Sequence, residues 1–114
     1  MPGTPFTATV NDNDGTVLIR LTGDVNRAAQ AGMEEAYQAA QPLGGPIVLD
    51  FVDVDYINST GIAVIVGLLA KARASGRPVR AFGLSDHYRE IFQITRISDF
   101  MSIFENETAA VGAG

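Results

Sequence analysis

Two adjacent hydroxyls, Ser59 and Thr60, lie between Asn58 and Gly61, where an apolar strand-like run gives way to a long apolar segment. If that segment is a helix, a phosphate added to either hydroxyl meets free backbone N–H groups and the positive end of the helix dipole. This chemistry suits a modifiable switch more than a catalyst. Just upstream, Asp53 and Asp55 flank Val54, the kind of carboxylate pair in which one member attacks a phosphoryl group and the other handles a proton. The chain's single lysine, Lys71, sits inside the helical pattern, away from any acceptor aspartate such as Asp50 or Asp53. An aspartyl phosphotransferase is therefore kept only as the rival from another function class, and Asp53 and Asp55 read as solvated loop carboxylates.

Other clusters carry less chemistry. Asn11, Asp12, Asn13, Asp14 and Gly15 look superficially like a calcium loop. With Gly15 at the sixth loop position, however, Val10 and Leu21 fall where oxygen ligands are required, so the stretch reads as a hairpin turn. His87 is the lone histidine and there is no cysteine, so a zinc site has no visible ligand set. No glycine-rich phosphate loop occurs. Neither a metal nor a cofactor is expected.

Composition bounds the rest. A chain of 114 residues, 46% apolar and 18% charged, is expected to be one folded domain spanning 1–114, its core about 6–104 and its ends (1–5 and 108–114) open to fraying. The start lacks a basic, apolar leader, and the apolar run from Gly61 to Ala70 is too short to span a bilayer. Direct membrane contact is not expected, and a reducing cytoplasm fits the lack of cysteine. A net charge of −5, with the seven arginines scattered, leaves no basic stripe for nucleic acid. A protein surface is the expected partner.

Those hydroxyls need elements to position them. Phe6, Ala8 and Val10 alternate with polar residues, as do Val17, Ile19 and Leu21 after the turn, which predicts an opening β-hairpin. From a cap at Asn26, the residues Ala29, Met33, Ala36, Tyr37 and Ala40 mark one side of a helix ending before Pro42. The nearly continuous apolar run from Ile47 to Val52 predicts a central strand. Thr60 to Ala74 is rich in β-branched residues, yet about fifteen residues without a turn residue exceed a typical strand and predict a helix. Pro78 to Leu84 reads as a further strand and Ser85 as the cap of a short helix with Tyr88, Ile91 and Phe92 inward. Ser102 to Phe104 is a candidate last strand, and Thr108 to Gly114 reads equally as helix or tail. The sum is an α/β domain, a mixed sheet with helices packed on it.

At about 100° per residue, Ile62, Ile65, Val66 and Leu69 share one face of the second helix while Val64 and Leu68 fall nearly opposite. Two readings stay open: both faces are internal, or Val64 and Leu68 form a docking surface beside Ser59.

This order of elements, with Asn58-Ser59-Thr60-Gly61 between strand and apolar helix and Gly23-Asp24-Val25-Asn26 before the first helix, resembles the STAS domain family. Within it, the stand-alone bacterial anti-sigma factor antagonists are the nearest match, over about Phe6 to Phe104. The resemblance implies that the unmodified domain binds an anti-sigma factor that is also a serine kinase, freeing a sigma factor. Phosphorylation of Ser59, with Thr60 as the rival acceptor, would switch it off, and a PP2C-type phosphatase would restore it. Implied contact residues are Gly23, Asp24, Asn26, Asn58, Ser59, Thr60 and Gly61, continuing to Val64 and Leu68 along the helix. Asn58 departs from the aspartate that many such antagonists carry there. A scaffold subunit of a stress-sensing complex and an accessory subunit of a transport ATPase are the alternatives within the family, and a homodimer or larger assembly is compatible with it. On the docking reading, Leu68→Asp abolishes partner binding and leaves the melting temperature nearly unchanged. A large loss of stability instead places Leu68 in the core.

Overall fold

The computed structural model describes residues 3–13 and 15–113; the expectations touching Met1, Pro2, Asp14 and Gly114 lie outside the described residues. Alternation builds the sheet. Strand β1 (Thr7–Asn13) pairs antiparallel with β2 (Thr16–Val25), Asn13 opposite Thr16, as the hairpin pattern requires. Then β3 (Ile47–Ile57), β4 (Val79–Phe82) and β5 (Ser102–Phe104) add in parallel, giving the order β1-β2-β3-β4-β5. Such parallel additions need helical crossovers. These are α1 (Gln30–Ala40), entered through a single 3₁₀ turn at Arg27–Ala29, α2 (Ser59–Ala74) and α3 (Asp86–Ile94), which leads into a second 3₁₀ turn at Ile97–Asp99. The mixed sheet, the opening hairpin and the helical reading of the β-branched segment all stand.

Period two divides the apolar residues between the two sheet faces. Val17, Ile19, Leu21, Ile47, Leu49, Phe51, Val79 and Ala81 meet all three crossover helices in the main core. Within it, the Phe51 and Phe92 rings meet edge to face, 6.3 Å between centroids. Ala29, Met33, Ala36, Tyr37 and Ala40 are all buried, the stripe that the periodicity marks. Leu18, Val48 and Phe82 point to the other face and are covered by α4 (Glu107–Gly112). Asn106 caps α4 by accepting the Ala109 N–H at 2.9 Å, and an Arg80 guanidinium N–H donates to the Ala110 carbonyl at 3.1 Å. The end of the chain up to Gly112 is thus a helix, extending the core past Phe104.

Two expectations change. Strand β3 does not stop at Val52 but runs through Ile57, so Asp53 and Asp55 are exposed strand residues rather than loop carboxylates. Its pairing with β2 slips one residue between Arg20 and Thr22 and again between Gly23 and Asp24. Each slip breaks the alternation by which a strand is recognised. The buried face of α2 consists of Gly61, Ile65, Leu68, Leu69 and Ala72, which places Leu68 in the core at 3% exposure and turns Val66 outward at 44%. Leu68 is therefore not part of a docking surface; it packs between the sheet and α1. Val64 is half-buried at the margin of the same core.

Leu68→Asp is accordingly expected to cost more than about 4 kcal/mol, since it removes a buried side chain and buries an unpaired charge. Val66→Asp on the outer face should cost under about 1 kcal/mol. Thermal denaturation of the two variants checks the assignment, and equal melting temperatures would overturn it.

Candidate functional site

The site lies where β2 and β3 end side by side. Parallel pairing carries Val25 opposite Ile57, so the two chain segments leave the sheet together, one toward the first 3₁₀ turn and the other into α2. The Asn58 N–H donates to the Val25 carbonyl at 3.3 Å. Gly61 then passes so close that a Cβ there would lie 1.8 Å from the Val25 carbonyl oxygen. The first turn of α2 is thus pressed backbone against backbone onto the end of β2, an approach that only glycine permits.

Capping decides which hydroxyl is free. Asn58 is the N-cap of α2, with extended backbone, and its Oδ1 accepts both the Gly61 N–H and the Thr60 hydroxyl, each at 2.8 Å. Ser59 is the first residue of the helix, exposed, and takes part in none of the side-chain hydrogen bonds of the described residues. The cap role open to any serine at a helix start is filled by its neighbour. Thr60 is exposed too, but its proton is committed to Asn58.

The second motif supplies the wall. Asn26 Oδ1 accepts the Ala28 N–H at 2.9 Å and caps the 3₁₀ turn, which presents Arg27 outward. Gly23, at φ +84°, lies under the N-terminal segment, where a Cβ would meet the Pro5 carbonyl oxygen at 2.1 Å. Asp24 is buried beside it, its N–H donating to the Thr4 carbonyl at 3.0 Å and its carboxylate accepting the Thr4 N–H at 3.2 Å. Of the residues expected to meet a partner, the structure therefore presents Asn26, Asn58, Ser59, Thr60 and Val64 at the surface. It buries Gly23, Asp24, Gly61 and Leu68, because these join the elements to one another. A shallow depression beside Thr60 and Val64 is completed by Arg27, Gln30, Ala63 and Gly67. The recurrence of Thr60, Ala63, Val64 and Gly67 at helical spacing was the sequence signal for half of it. Nothing in the sequence shows that α1 supplies the other half.

The rival acceptors stand elsewhere. Asp50 is buried on the second sheet face, where one oxygen accepts the Arg20 Nε–H at 3.0 Å and the other the Val52 N–H at 2.9 Å. That hydrogen bond and the carboxylate's charge hold the Arg20 guanidinium above its ordinary pKa. With both oxygens occupied and no open approach, Asp50 is a structural anion rather than a nucleophile. His87 is exposed near the start of α3 against the Tyr88 ring. Among the described residues, no group of three or more metal-ligating side chains comes together, and no helix is long and apolar enough to cross a membrane.

The fold recurs in known proteins. A family model described as "Mlab, STAS domain" matches residues 8–104. The anti-sigma-B factor antagonist of Listeria monocytogenes is 31% identical over 86 residues, which are 75% of this chain and 75% of that protein. The crystal structure of an anti-sigma factor antagonist from Mycobacterium paratuberculosis shares the fold at a TM-score of 0.76 and 21% identity, over 96% of this chain and 93% of that one. The structure of the Bacillus cell fate determinant SpoIIAA in the phosphorylated form does so at a TM-score of 0.69 and 21% identity, over 95% and 97%.

Replacing Asn58 by Ala should cost about 1 kcal/mol through loss of the cap, while Asn58→Asp keeps the acceptor and adds a favourable charge at the helix start. Gly61→Ala is expected to cost more than Asn58→Ala, because the first turn of α2 must move off Val25. Denaturant titrations rank the three. A neutral Gly61→Ala would contradict the close approach described above.

Proposed function

The chain belongs to the STAS domain family, and from that premise we propose that it is an anti-sigma factor antagonist controlled by phosphorylation on Ser59. In this reading the unmodified domain binds an anti-sigma factor that is itself a serine kinase, and the sigma factor is released. The kinase then transfers a phosphoryl group from ATP to the Ser59 oxygen: the new O–P bond forms as the bond to ADP breaks, and the hydroxyl proton passes to a base on the kinase. A PP2C-type phosphatase reverses the step. The role is regulatory, with no reaction catalysed by this chain.

One observation carries the proposal: at the start of α2 Asn58 does the capping and also takes the Thr60 hydroxyl proton, leaving the Ser59 hydroxyl exposed and uncommitted. The name of the Listeria relative supports the partner class, and the phosphorylated form of SpoIIAA shows a protein of this fold bearing the modification. Phosphoserine adds about −1.5 to −2 charges and three acceptor oxygens. At a helix start that charge is tolerated by the fold. Its effect falls on docking, because a dianion added to the contact surface opposes burial against an apolar partner face. Asn58 in place of an aspartate leaves the unmodified site less negative, so the phosphate is a larger relative change in charge.

Ser59→Asp is expected to lower affinity for the anti-sigma factor at least about tenfold with a melting temperature near that of the wild type. Ser59→Ala should bind and resist phosphorylation, and Thr60→Val should remain a substrate. Calorimetry with the purified anti-sigma factor and peptide mass spectrometry read these outcomes. Undiminished binding by Ser59→Asp, or phosphate on Thr60 alone, would overturn the proposal. If Ser59 stays unmodified in every growth condition while an ATPase or a giant assembly copurifies, the accessory or scaffold role replaces it.

A further inference from the structure

Helix α2 also borders a second feature, two turns from Ser59. Val66 lies seven residues after Ser59, hence on the same side of the helix and about 10 Å along its axis. With Ala70 it forms one wall of a groove whose other wall is the segment from Thr95 to Phe100, with Ile97 in its floor. Two of the five large apolar side chains exposed among the described residues, Val66 at 44% and Phe100 at 51%, line it, and Ile94, at 73%, directly precedes its Thr95 in the chain. Such clustering marks a contact surface, whereas scattered apolar residues would not. At about 280 Å³ the groove falls just below the usual range of small-molecule pockets, and it suits a row of side chains better.

Its rim is cationic although the chain carries a net charge of −5. The Arg73 guanidinium lies over the Phe100 ring, 4.9 Å from its centroid, and belongs to none of the salt bridges of the described residues. Arg96 stands on the opposite rim, its backbone left-handed at φ +64° and its side chain paired with Asp99 at 2.9 Å. An apolar floor beneath an unneutralised arginine is complementary to an amphipathic helix whose apolar stripe is flanked by carboxylates. A second copy of this chain is a poorer fit, because a twofold contact through the patch sets each Arg73 near the other copy's cations. A bilayer is poorer still, since the acidic domain is repelled by anionic lipid.

We propose that the groove between α2 and the Thr95–Phe100 segment, with Arg73 on its rim, receives an acidic amphipathic helix of the partner protein. The inference deepens the reading of the α2 start as a partner surface and rests on it: the same partner would touch Ser59 with one part and fill the groove with another. The two contacts are separable by experiment.

The probe is a labelled amphipathic helical peptide of about fifteen residues, leucine on one face and glutamate on its flanks, compared with a version flanked by lysine. Added to the full chain, the glutamate peptide should shift the amide resonances of Val66, Ala70 and Phe100 and bind at least about tenfold more tightly than the lysine peptide. Arg73→Glu should reverse that preference and Arg73→Gln reduce it, with melting temperatures confirming that both variants fold. Ser59→Asp should bind the glutamate peptide within about twofold of wild type, being more than a screening length of solvent from Arg73 along the helix. The inference is overturned if neither peptide shifts the groove resonances, if both bind equally, or if anionic phosphatidylglycerol vesicles shift them instead. Failure of the peptide leaves the Ser59 switch standing. Conversely, peptide binding with no effect of Ser59→Asp on the anti-sigma factor leaves the groove and removes the switch.

Discussion

The close contact between the Val25 carbonyl and the first turn of α2 is the constraint on which the site depends. Two parallel strands that end together can deliver two chain segments to one place, but their side chains normally hold the following helices apart. Here Gly61 removes the Cβ that would strike Val25, and the Asn58 N–H takes the carbonyl as acceptor. The start of α2 therefore settles against the 3₁₀ turn after β2. Asn26, Arg27, Asn58, Ser59 and Thr60 become one surface although more than thirty positions separate the two groups. Both capping asparagines are neutral, so the helix starts keep their positive potential for an incoming phosphate or carboxylate.

From that contact follows a division of labour along α2. Its first turn assigns hydrogen bonds so that one hydroxyl is occupied and the other left over. Its middle sends Ile65, Leu68 and Leu69 into the core, while Lys71 and Arg73 in its last turn favour the negative end of the dipole. The outer side stays apolar through Val66 and Ala70, both exposed. The same helix is thus a core element, the carrier of an exposed and uncommitted serine, and one wall of a groove. The Ser59 side chain is exposed and joins no side-chain hydrogen bond of the described residues, so the first turn is held without it.

Burial of Asp24 and Asp50 shows how acidic residues near the site serve the frame. Asp24 ties the N-terminal segment to the end of β2 through two hydrogen bonds with Thr4. Asp50 spans Arg20 and the backbone after itself on the second sheet face. Neither carboxylate lines the depression beside Thr60.

Much of this was legible in residues that act locally. The hairpin, the caps at Asn26 and Ser85, the buried stripe of α1 and the placement of two hydroxyls at a helix start all depend on a few consecutive residues, and period and capping chemistry express them directly. The helical state of Thr60 to Ala74 was readable from length against propensity. The bulged extension of β3 was not, because Val52 and Asp53 both face solvent, as do Asp55 and Tyr56, and a strand that breaks alternation looks like a loop. Nor was the inner face of α2. Apolar residues surround that helix, so periodicity alone offers two equivalent sides, and only the sheet and α1 closing on Leu68 select one. Sequence by itself thus determined the hairpin, the three crossover helices and where the hydroxyls stand, since those are local free energies. Tertiary structure decided which of the singled-out residues remain available to a partner, because availability depends on what other parts of the chain cover.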